Sequence, residues 1–237
     1  MFFPARAKSI PTNAKVLEIG PSVKPHSRAT AWLDKRFRSE DDQRAQRCSP
    51  LRRAPGFENR ITYYEDDRFP FEDNAFDYVI CSHVIEHIPR AALATFISEM
   101  QRVAPRGYIE VPLFLYELVF PQEVHLWHIA HQNNTLLLAP KQADPDEAWS
   151  LTGTLAKALG AQYLFDVPRY RPLFFHGFEW KSTINYKVLD QIPSRSAYHA
   201  ECADLLHVLG RNPSVTLWKL QCCFWRLREK LVRSMHN

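Results

Sequence analysis

Short apolar runs, each stopped by a turn residue, mark the first half of the chain. Val16, Leu17 and Ile19 form the first run, with Glu18 inside it and Gly20-Pro21 ending it. A run of this length closed by glycine reads as a buried strand. AWLD at 31–34, ITYY at 61–64, FDYVIC at 76–81 and YIEV at 108–111 repeat the pattern. Between the last two the period changes. Leu93, Phe96, Ile97, Met100 and Val103 recur three and four residues apart, which predicts a helix over 90–103 with Pro89 in its first turn. Strand alternating with helix or loop from 14 to 112 predicts an α/β fold around a parallel, doubly wound sheet.

The remaining segments are less regular. Residues 35–60 are polar and basic, with an irregular helix expected in front and PLRRAPG breaking it; Arg44, Arg47, Arg52 and Arg53 read as a solvated face. LFLYELVF at 113–120 is apolar with no clear period. Residues 122–138 are expected to be partly helical, which would put His125, His128 and His131 only approximately on one face. A helix over 150–159 ends at Gly160 and is followed by a strand, AQYLFDV. Residues 172–189 read as one or two strands, 196–209 as a helix stopped by Gly210, and 214–225 as a last strand. The expected organisation is a lead-in over 1–13 and a domain over 14–190, with halves 14–112 and 113–190. The remainder, 191–237, is expected to pack on the same domain.

Composition narrows the class of protein. A chain of 237 residues can bury a full core as one domain. The net charge of +4 is dispersed, whereas nucleic-acid binding calls for a dense basic face, so no nucleic-acid partner is expected. Five cysteines occur without a CxxC pair, which argues against a zinc knuckle and for reduced thiols in the cytoplasm. No apolar run is long enough for a spanning helix, and MFFPARAKS lacks the apolar core of a signal peptide. The basic tail is expected to pack on the domain rather than on a membrane.

The chemistry-bearing residues fall at successive strand ends: Gly20, Asp34, Glu65 to Asp67, and Ser82 with His83. Open α/β sheets bind ligands at the carboxyl ends of their strands, and a carboxylate closing the second strand can accept hydrogen bonds from a ribose diol.

VLEIGPS, Asp34 and YYEDDRFPFEDNAFDYVICSHVIEHIP together resemble the class I S-adenosylmethionine-dependent methyltransferases. The likeness is to a small-molecule branch whose signature matches Phe69-Pro70-Phe71, Asn74 to Asp77 and His83 to His87 here. It covers residues 14–112. The resemblance implies a seven-stranded, mostly parallel, Rossmann-like sheet with helices on both faces. It implies S-adenosylmethionine as cofactor, met by Glu18, Gly20, Pro21 and Ser22 at the first turn and by Asp34 at the ribose. Asp66 is its choice at the adenine, with Glu65 and Asp67 as neighbours, and Ser82 and His83 line the cofactor. His87 matches a position that is often histidine. One departure is the single glycine of the first turn, where several are usual.

Methyl transfer needs an acceptor aligned behind the methyl group, and a base within reach of its proton. In this family the region after strand five covers the acceptor, expected to be a small molecule or sugar-like metabolite methylated on oxygen or nitrogen. The candidate bases are His83, His125, His128 and His131, and Tyr116, Trp127 and His128 are the first to test; of these, His83, His128 and Tyr116 are expected to carry the chemistry. Two other readings stay open. One is a non-catalytic scaffold or regulator that keeps the fold. The other is a zinc hydrolase, since His83-Val84-Ile85-Glu86-His87 matches HxxEH, although Pro89 leaves little room for a ligand-bearing helix. A nicotinamide dinucleotide calls for GxGxxG, and GPSVKP supplies one glycine of the three.

Overall fold

A computed structural model describes residues 3–37, 39, 55–65, 68–141 and 171–190. The apolar runs form strands β1 (Val16–Ile19), β2 (Ala31–Lys35), β3 (Ile61–Tyr64), β4 (Tyr78–Ser82) and β5 (Arg106–Pro112). All five run parallel in the order β3-β2-β1-β4-β5, and β8 (Phe175–Lys181) joins the β5 edge antiparallel. This is an α/β fold with a mostly parallel, Rossmann-like sheet. Among the described residues the sheet has six strands rather than seven. The strands expected at 161–167 and 214–225, and the helices expected at 150–159 and 196–209, lie outside the described residues, as does the basic tail. Two compact units divide the chain at Ile192, and every described residue belongs to the first.

Alternation along each strand sends its residues to two faces. On the first face Leu17, Ile19, Val79, Cys81, Ile109 and Val111 share one buried cluster with Leu93, Phe96, Ile97, Met100 and Val103 of helix α1 (Arg90–Val103). The helical period read from the sequence is therefore the buried stripe of α1. On the second face Val16, Tyr78, Ile80 and Tyr108 pack against Ala7 and Ile10 of the lead-in. The lead-in is thus a strap. Ser9 donates through its backbone N and its Oγ to Glu179 Oε1 at 2.7 and 2.9 Å, and Phe3 N donates to Glu110 Oε2 at 2.9 Å. Among the described residues, a helix covers the first face and this strap the second.

The signature loop is held from α1. Arg102 donates to Glu99 Oε1 and Oε2, to the carbonyls of Phe69 and Phe71, and to Asp73 Oδ1, all at 3.1 Å or less. Hydrogen bonding to Arg102 outweighs burial and holds the Glu99 carboxyl below its usual range. Asp77 accepts from Lys15 N at 2.7 Å, tying the loop to the start of β1. Phe69, Phe71 and Asp77 of the motif thus tie the loop to α1 and to β1.

The segment 113–120 resolves into helix α2 (Phe114–Val119). Residues 122–138, expected to be partly helical, instead contain β6 (Trp127–Gln132), which pairs antiparallel with β7 (Thr135–Pro140). Asn133 and Asn134 both take positive φ, 49° and 56°, and form the whole two-residue loop between Gln132 and Thr135. That is the backbone of a type I′ hairpin turn, which asparagine tolerates. Trp127, Ile129, Leu136 and Leu138 then alternate into the core, so strand alternation prevails over helical period. The strands expected within 172–189 are β8 and β9 (Tyr186–Val188), preceded by the short helix α3 (Arg171–Phe174). β9 completes a second sheet, β6-β7-β9.

Candidate functional site

Register brings the strand-end residues together. Leu17 pairs with Ala31 and Ile19 with Leu33 on one side of β1, and Ile19 pairs with Cys81 on the other. One step further, Gly20 lies between Asp34 and Ser82. Gly20 N donates to Leu33 O at 2.8 Å. Gly20 takes φ +64°, and a Cβ there would come within 2.5 Å of Val84 Cγ2. Both conformation and packing therefore demand glycine. Pro21 is buried and Ser22 exposed, its Oγ closing a small turn with Lys24. Glu18 is buried and accepts from His26 N at 2.9 Å. Asp34 is buried, with Lys35 N donating to its Oδ1 at 2.9 Å. Glu65 is exposed and pairs with Arg36 at 2.8 Å. Asp66 and Asp67 lie outside the described residues.

His83 follows β4 in the left-handed region, φ 57°, uncommon for a residue with a side chain. Its N donates to Glu110 O at 2.9 Å. Its ring lies between two buried carboxylates, Nε2 at 3.2 Å from Glu110 Oε1 and Nδ1 at 3.2 Å from Glu86 Oε1. Burial alone would lower the His83 pKa, yet the two carboxylates raise it to about 9. At neutral pH His83 is an imidazolium that holds a proton, which does not suit a base. Glu110 also accepts from Ser82 Oγ at 3.2 Å and Tyr108 OH at 2.8 Å. Sequence reasoning missed Glu110. The signal was a lone glutamate inside an apolar strand, the same signal that Glu18 gives in β1.

An aromatic chain extends from His83. Its ring meets Phe175 at 5.4 Å between centroids, Phe175 meets Tyr116 at 5.1 Å, Tyr116 meets His125 at 6.2 Å, and His125 meets His87 at 4.8 Å. His83 and Tyr116 are thus joined through one phenylalanine. His128 stands apart, buried on β6 against Phe114 at 5.0 Å. Desolvation, then the Lys141 charge, lowers its pKa to about 4. His131, three residues along the same strand, falls on the opposite face, so the expected approximate common face of His125, His128 and His131 does not form. Trp127 is a core residue whose Nε1 donates to Ile88 O at 2.6 Å.

The HxxEH stretch forms a single 3-10 turn, Ile85–His87. Zinc hydrolases of this motif need its two histidines on one face of a helix, and no such helix forms here. Glu86 is fully buried, and its Oε2 has no hydrogen-bond partner. Glu117, also missed from the sequence, is buried on α2. It accepts from Lys141 Nζ at 2.9 Å and forms a close hydrogen bond with His125 Nδ1. Burial would raise the Glu117 carboxyl, but His125 and Lys141 hold it below its usual range.

Residues 39–111, under a third of the chain, match the sequence profile of a methyltransferase-domain family. No curated protein matches the sequence. Among solved structures, the chain is similar to one from the Haloferax volcanii complex of the Trm112 methyltransferase activator with a candidate methyltransferase. That match has 14% identity and a TM-score of 0.38, over 76% of this chain and 87% of that one. It is also similar to an S-adenosylmethionine-dependent methyltransferase from Mesorhizobium loti, at 14% identity and a TM-score of 0.32 over 65% and 68%. A protein from Pyrococcus horikoshii gives 19% identity and a TM-score of 0.32 over 60% and 72%. The chain spans about half the length of some other matched chains. No helix among the described residues is long and apolar enough to cross a membrane. The fold itself rests on strand order and register.

Proposed function

We propose that this chain binds S-adenosylmethionine across the carboxyl edge of its parallel sheet and transfers the methyl group to an oxygen or nitrogen of a small molecule. The observation that supports this most is the placing of Gly20, at positive φ, between Asp34 and Ser82 on adjacent strand ends. A buried carboxylate closing β2 suits a ribose diol. Asp34 would hold the ribose. Glu18, Gly20, Pro21 and Ser22 would form the turn beside the methionine end, and Glu65, Asp66 and Asp67 would supply the adenine side. The methyltransferase-domain match over residues 39–111 supports the methyltransferase reading of the fold. When bound, the cofactor supplies an electrophilic methyl group on a sulfonium.

The protein's part is to orient the acceptor and exclude water. Ser82 and His83 would line the cofactor side, with His83 holding its proton rather than accepting one. Tyr116, reached from His83 through Phe175, would face the acceptor, and His128, neutral at physiological pH, would lie on the acceptor side. The domain boundaries at 14–190 and a cytoplasmic setting belong to the same proposal.

Calorimetry with S-adenosylmethionine and S-adenosylhomocysteine tests it. Binding is expected, and Asp34→Ala should weaken it at least tenfold. One observation favours a second reading, a non-catalytic scaffold: Val84 fills the space beside Gly20 where a glycine-rich turn would leave bare backbone. Folded protein that binds neither ligand would favour the scaffold.

A further inference from the structure

Glu86, His87 and His125 come together from two separate segments, and one potential ligand atom from each lies within 4.8 Å of the others. We propose that these three side chains form a binding site for a divalent transition-metal ion, with at least one coordination position left open.

The ring nitrogens are already sorted. His87 Nδ1 lies 3.0 Å from the carbonyl oxygen of Val124. A carbonyl only accepts, so this nitrogen carries the proton and Nε2 keeps the lone pair. His125 Nδ1 hydrogen-bonds the Glu117 carboxylate, which fixes the same tautomer. A histidine that ligates a metal through one nitrogen while donating its other N–H to a carboxylate or a backbone carbonyl is the usual outer-shell arrangement. Here both versions occur side by side. Lys141 Nζ, 2.9 Å from the other oxygen of Glu117, holds that carboxylate in turn.

Glu86 is the independent observation. Its carboxylate is fully buried; Oε1 is paired with His83 Nδ1 at 3.2 Å, while Oε2 has no hydrogen-bond partner. A buried carboxylate oxygen left without a partner is costly, and coordination to a metal ion would satisfy it. Glu86 sits directly before His87 in the 3-10 turn. Backbone bonds fix the two segments: Leu126 N donates to Glu86 O at 2.7 Å and Lys141 N to Leu126 O at 2.9 Å.

The donor set selects the ion. Two imidazoles and one carboxylate suit zinc and its neighbours, whereas calcium and magnesium prefer oxygen throughout. With bonds of about 2.1 Å, donors around a tetrahedral zinc stand about 3.4 Å apart, so small side-chain rotations bring the three into place. Three protein ligands with a fourth position free match catalytic rather than structural zinc sites. Tyr116, whose ring lies 6.2 Å from that of His125, borders the site.

Metal binding is read directly and without S-adenosylmethionine, so its outcome is independent of the cofactor reading. Tag-free full-length protein is titrated with zinc chloride by calorimetry, and with cobalt(II) followed by its visible absorption. One ion per chain is expected. His125→Ala and Glu86→Gln should each lower affinity at least tenfold. Glu117→Gln should lower it about 10- to 100-fold, as loss of an outer-shell partner does. His131→Ala/His176→Ala should leave binding unchanged. A zinc-dependent rise in the melting temperature of the unsubstituted chain provides a readout that needs no variant to fold. Folded wild-type protein that binds no ion, or binding that survives His125→Ala and Glu86→Gln, would overturn the proposal. Loss of binding in the His131/His176 variant instead would overturn it equally.

Discussion

Among the described residues two pairs of histidines lie close together, and they are built to opposite ends. His87 and His125 have ring centroids 4.8 Å apart, set edge to face, and are surrounded by Glu86, Glu117 and the Val124 carbonyl. His131 and His176 are 4.3 Å apart and stacked, with Phe178 against both. The Nε2 atoms of the second pair are buried without hydrogen bonds. Burial lowers the pKa of both, that of His176 to about 4, with the His131 and Arg6 charges adding to the effect. Proximity of two imidazoles therefore does not define a site. Carboxylates and carbonyls that fix tautomers turn one pair into donors, and their absence leaves the other as packing.

Removing that support tests the contrast most severely. Glu117→Ala strands His125 and Lys141 in a buried setting, and breaking such a network is expected to cost about 3–5 kcal/mol. Urea denaturation should show the loss. A cost under about 1 kcal/mol would mean that water already screens the cluster.

The stacked pair should reveal itself in acid. Its folded-state pKa values lie below the ordinary 6.5, so the unfolded chain binds protons first as pH falls. The stability these neutral rings permit is full above about pH 6.5 and falls away toward pH 4. For His176 alone the loss should reach about 2 kcal/mol by pH 5. His176→Phe should flatten that slope while changing stability at pH 8 by less than about 1 kcal/mol. An unchanged acid slope in the variant would assign the titration elsewhere.

The smallest effect concerns the turn of the β6–β7 hairpin, which carries His128 and His131. Asn134→Gly relieves a positive φ and should raise stability by about 0.5 kcal/mol, read as a shifted urea midpoint. A loss of stability would show that the asparagine side chain does more than tolerate the turn.

Much of the sheet was legible because its strands carry their own punctuation. The β1 run ends at Gly20, and the α1 stripe is a period no strand could satisfy. Over 122–138 a hairpin takes the place of the expected partial helix, because Asn133-Asn134 makes the turn and the strands on either side pair across it. The signature around Phe69 to Asp77 was legible as a motif, but its role was not. Arg102 and Lys15, far from it in sequence, make it a structural clamp. Glu110 and Glu117 escaped notice because a single acidic residue in an apolar segment looks like interruption until its partners are known.

Local pattern, which depends on neighbours a few residues away, was enough to determine the α/β class, the five parallel strands and the helix packed on them. It also determined that acids and a glycine would gather at the strand ends, because parallel strands must all end on one edge. Tertiary structure alone decided which charges meet. His83 is held between Glu86 and Glu110, and His125 is brought from 38 positions downstream to face His87. Pairing of that kind depends on how loops close in space and on what the interior excludes, and no spacing along a chain encodes either.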